Sequence, residues 1–104
     1  MEQIEFEKAL DAIEDNAKAT QKDFEDPDKT LLYAATIKAI IQKLDISEAT
    51  VPQYHNLSSI RQYAAAMEKY RWSCDTVYAI AGDICNQIKH IRKLMEGREL
   101  CERS

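Results

Sequence analysis

The sequence predicts an all-α fold, a small three-helix bundle whose C-terminal helix is long and carries a coiled-coil-like heptad seam. Three observations point there. Only 2 Gly and 2 Pro occur in 104 residues, too few turn-formers for a β-sandwich, a barrel or a dinucleotide-binding α/β fold. Apolar residues recur at steps of three and four over most of the chain. Apolar residues make up 45% and charged residues 31%, enough to bury a core and too apolar for a disordered chain. At this length the expectation is one helical domain over residues 1–104.

The first helix is expected over about residues 2 to 24. Phe6, Ala9, Leu10, Ile13, Ala17, Thr20 and Phe24 mark one face, and Glu5, Lys8, Asp11, Asp15, Lys18 and Lys22 the opposite one. Pro27 disfavours helix at Asp26 and closes it. Asp28 or Thr30 is then placed to cap a second helix over about residues 30 to 44. That helix is apolar nearly all round, with Leu31, Leu32, Tyr33, Ala34, Ala35, Ile37, Ala39, Ile40, Ile41 and Leu44. Such a helix has to be surrounded by protein, so it is expected at the centre of the core.

Residues 45–57 read as a loop, with Ser58 or Ser59 capping a third helix over about 59 to 98. With Ile60 as position a of a heptad, the a positions are Ile60, Met67, Cys74, Ala81, Ile88 and Met95. The d positions are Tyr63, Tyr70, Val77, Ile84 and Ile91. All are apolar or aromatic, which is the coiled-coil pattern. The unbroken register across Gly82 favours one continuous helix of about 60 Å at 1.5 Å per residue. A second apolar stripe, Ala65, Trp72 and Ala79, widened by Ala64 and Tyr78, lies opposite the seam. Two shorter helices cannot cover both stripes of a helix that long. A partner interface is therefore expected at Trp72, Tyr78, Ile84, Ile88, Ile91 and Met95, with a homodimer as its simplest form.

No motif names a reaction. Asp11, Glu14 and Asp15 share a helix face, as do the magnesium-binding carboxylates of all-α nucleotide hydrolases, but no second carboxylate pair faces them. Cys85 and His90 stand about 140° apart around a helix, so they cannot share a metal. Cys74, Cys85 and Cys101 are too far apart along one helix to form a disulfide, which suits free thiols in a reducing cytoplasm. The net charge is −4 overall, divided as −6 over residues 1–50 and +2 over residues 51–104. Lys89, Arg92 and Lys93 form a basic end that could touch phosphates within a larger nucleoprotein complex. Arg92, on the flank of the seam, also has the acidic first helix available as a partner. Neither a secretory leader nor a membrane segment is expected. The reading is a non-enzymatic, cytoplasmic protein-interaction module without cofactor or metal, acting as a regulatory adaptor, inhibitor or accessory subunit. A small metal-dependent hydrolase and a nucleoprotein subunit are the alternatives.

Overall fold

The computed structural model describes residues 3–44 and 54–103, with side-chain environments over 5–44 and 54–95. Among these residues there are four helices: α1 (Gln3–Lys22), α2 (Pro27–Lys43), α3 (Tyr54–Lys69) and α4 (Cys74–Arg103). The fold is all-helical as expected, but with four helices instead of three. Each helix packs on its neighbours in the ring α1–α2–α3–α4–α1.

α1 ends at Lys22, short of the Asp26 position that Pro27 restricts, and α2 begins sooner than expected. The Asp26 carboxylate accepts the backbone N–H groups of Asp28 and Lys29, both at 3.1 Å. Pro27 occupies the first helical position, where its missing N–H costs nothing and its fixed φ suits the helix. Asp26, and neither Asp28 nor Thr30, is thus the cap. The expected loop at 45–57 lies outside the described residues up to 53, and α3 has already begun at Tyr54. Ser58 and Ser59 are therefore inside the helix, where the Ser59 hydroxyl donates back to the His55 carbonyl at 3.0 Å.

The expected continuous helix over 59 to 98 is broken at Tyr70–Ser73, not at Gly82. Arg71 Nη1 donates to the Glu68 carbonyl at 2.8 Å and satisfies the last turn of α3. The Ser73 N–H donates to the Tyr70 carbonyl at 2.8 Å, and the Ser73 and Thr76 hydroxyls meet at 2.8 Å. Asp75 supplies negative charge to the first turn of α4. Gly82 sits in the middle of α4, where a Cβ would come 3.2 Å from Gln21 Nε2 on α1.

α1 and α4 run antiparallel. Gln21 reaches the Tyr78 carbonyl at 3.5 Å, while Arg92 pairs with Glu14 and Asp11 further along both helices. Four-residue turns join α1 to α2 and α3 to α4, which makes each pair an antiparallel hairpin. The core takes one stripe from each helix: Phe6, Leu10, Ile13 and Ala17; Ala34, Ile37 and Ile41; Leu57, Ile60, Ala64 and Met67; Ala81, Ile84, Ile88 and Ile91.

Two expectations change here. The apolar positions read as one seam divide between α3 and α4 on either side of the turn, and Ile84, Ile88 and Ile91 of the expected overhang are buried in the chain's own core. And α2 is not enclosed. It buries only the face of Thr30, Ala34, Ile37 and Ile41, between α1 and α3. Leu32 remains 63% exposed on its outer side, and Leu31, Ala35 and Ala39 are exposed with it.

Candidate protein-interaction surface

The antiparallel packing of α1 on α4 brings the two short turns to one end of the bundle. Phe24, in the first turn, meets the Tyr78 ring edge-on, with centroids 5.5 Å apart and planes at 76°. This is the geometry favoured by the ring quadrupoles. In the second turn Tyr70 and Trp72 point outward, 45% and 71% exposed, and Tyr78 is 50% exposed beside them. Cations stand against two of these rings. Lys69 Nζ lies 5.3 Å from the Tyr70 centroid, and the Arg71 guanidinium 5.4 Å from the Trp72 ring. On the α2 side of this end, the Tyr33 hydroxyl donates to Asp23 at 2.7 Å. That hydrogen bond, with some burial and the charge of Asp23, raises the Tyr33 phenol above its ordinary value.

The six residues expected at a partner interface separate into two groups. Trp72 and Tyr78 are exposed at this end. Ile84, Ile88 and Ile91 are wholly buried in the chain's own core, and Met95 packs partly against it. Their apolar partners are α1 and α3, because the turn at 70–73 folds α4 back onto the bundle. The expected second stripe is divided too. Ala65 is exposed on α3, Ala79 on α4 and Trp72 in the turn between them, whereas Ala64 is in the core. Tyr70, read as a seam position, and Phe24, read as part of the first apolar stripe, were missed as members of the aromatic end. The signal that could have found them is the Ser73-Cys74-Asp75 helix start, which places Tyr70, Arg71 and Trp72 in a turn.

At the basic end, Arg92 is engaged within the chain. Arg92 Nη1 donates to Glu14 Oε2 at 3.0 Å and Nη2 donates to Asp11 Oδ1. The ion pair available to Arg92 on the acidic first helix is thus formed. Burial works against the Arg92 charge, but the hydrogen bond and charge of Glu14, joined by Asp11, outweigh it and hold the guanidinium above its ordinary value. Lys89, His90 and Lys93 are exposed.

Of the three carboxylates weighed for a metal, Asp11 and Glu14 thus face Arg92, Glu14 also faces Lys18 at 3.7 Å, and Asp15 is exposed. Among the described residues no group of three or more His, Cys, Asp or Glu is arranged to hold a metal ion. Cys74 and Cys85 are free thiols on α4. Burial, with Glu14 nearby, pushes the Cys85 thiol up, away from the thiolate that a nucleophile requires. Among the described residues no helix is long and apolar enough to cross a membrane. No known family model, curated protein or solved structure matches this chain.

Proposed function

We propose that the protein is a non-enzymatic interaction module, a regulatory adaptor, inhibitor or accessory subunit, that docks a partner protein on its aromatic end. The observation that carries this reading is Trp72. The chain has one tryptophan, and it stands 71% exposed on a turn between Tyr70 and Tyr78. Tryptophan and tyrosine dominate the binding energy of protein interfaces, because large rigid rings bury much area at little entropic cost. Lys69 against the Tyr70 ring and Arg71 against the Trp72 ring favour a partner with acidic residues around an apolar anchor.

The test replaces Trp72 and Tyr78 together by Ser. Both side chains lie outside the core, so the helical circular dichroism should be unchanged. Cross-linked complexes isolated from the native host with the wild-type chain should contain a partner that the variant loses. Once purified, that partner should bind the variant about 30-fold more weakly or worse, the loss of about 2 kcal/mol given by one interface hot spot. Identical complexes from wild type and variant would refute the docking role of this end.

A further inference from the structure

α2 has one face in the core and, directly opposite, an apolar face that the fold leaves open. At 100° per residue, Asp28, Leu32, Ala39 and Lys43 fall within about 30° of a single line along the helix, with Ala35 and Thr36 flanking its midpoint. Asp28, Leu32, Ala35, Ala39 and Lys43 are all exposed, and the line lies opposite Thr30, Ala34, Ile37 and Ile41. The order along it is acid, large apolar, small, small apolar, base. Turned end for end about the midpoint, that order is its own complement.

We propose that this face is a homodimer seam, in which two copies of α2 lie antiparallel across a two-fold axis passing between Ala35 and Thr36. Leu32 of each copy then faces Ala39 of the other, a large side chain against a small one, and the small residues at the axis let the helices approach closely. Asp28 of each copy faces Lys43 of the other, about 11 Å from the axis at 1.5 Å per residue. A parallel pairing would set Asp28 against Asp28 and Lys43 against Lys43, so charge selects the antiparallel one. The seam accounts for an α2 that is apolar nearly all round although, among the described helices, its main packing is against α1 and α3. It is separate from the aromatic end and does not depend on a partner docking there.

The test is multi-angle light scattering and sedimentation at about 100 µM, with circular dichroism on each sample. Wild type should be a dimer. Leu32→Asp should keep its helical signal and weaken the dimer at least about a hundredfold, because each dimer loses two buried leucines. Asp28→Lys or Lys43→Asp alone should weaken it roughly tenfold at low salt, by setting two pairs of like charges together. The double variant Asp28→Lys with Lys43→Asp should restore it. Trp72→Ser should leave the dimer intact. A monomeric wild type, a dimer indifferent to Leu32→Asp, or a double variant no stronger than the single ones would overturn the seam. Loss of the dimer in Trp72→Ser would overturn it as well, placing the contact at the aromatic end.

Discussion

Ile88 is where a core and an interface make opposite demands, and Ile88→Ala separates them. The side chain is fully buried on α4, in the same cluster as the stripes of α1, α2 and α3. The substitution removes three carbons. At about 0.8 kcal/mol for each buried methylene, the transfer loss is about 2.4 kcal/mol. The surrounding helices close the space only partly, and the remaining cavity brings the total to about 3–4 kcal/mol. A domain of this size has about 5–15 kcal/mol of stability, so the variant should still fold. At about 4–8 °C per kcal/mol its melting temperature should fall by about 12–32 °C. The measurement is thermal and urea unfolding by circular dichroism, with wild type and variant at one protein concentration. An unchanged midpoint combined with a change in oligomeric mass would refute the reasoning, because it would put Ile88 at a surface between chains.

Three further outcomes follow from single groups. Thr30 is fully buried and its hydroxyl has no hydrogen-bond partner, so Thr30→Val should stabilise by about 1 kcal/mol, read as a higher urea midpoint. Gly82→Ala should gain up to about 1 kcal/mol from helix propensity, since the one close atom is the end of the flexible Gln21 side chain; a lower melting temperature would show that Gln21 cannot yield. The raised Tyr33 phenol is protonated more readily in the fold than in the unfolded chain. Its contribution is therefore complete below the ordinary phenol value of about 10 and lost as pH rises through the folded value. As pH rises from about 10 through the folded value, the urea midpoint of wild type should therefore fall more steeply than that of Tyr33→Phe; parallel curves would show that this hydrogen bond contributes nothing.

The apolar stripes could be read from the chain because burial imposes the helical period wherever a helix meets a core. Phe6, Leu10, Ile13 and Ala17 face inward as their spacing requires, and so do Ile60, Met67, Ile84, Ile88 and Ile91. Direction is another matter. A heptad count runs through a chain reversal unaltered when the intervening residues keep the step, and those between Met67 and Val77 do. Both helices of the hairpin therefore looked like one. The helix start at Ser73-Cys74-Asp75 carried the information, but one such start weighs little against eleven matched positions. α2 misled for the opposite reason. Its outer Leu32, Ala35 and Ala39 look like core by composition, and only the packing reveals that none of the described helices covers them. In the candidate site, the exposure of Trp72 could be inferred from its place off the seam, whereas its grouping with Tyr70, Tyr78 and Phe24 needed the antiparallel contact of α1 with α4.

The position of Trp72 also determines what the molecule's own fluorescence can report. Its indole is largely hydrated in the native state, on a turn outside the core. Unfolding therefore moves it from one wet environment to another, and the emission maximum should barely shift while the helices melt. A partner that covers the turn would move the same ring into an apolar setting and shift its emission to the blue. The chain thus carries a built-in optical probe that responds to occupancy of its aromatic end and is nearly blind to its own denaturation.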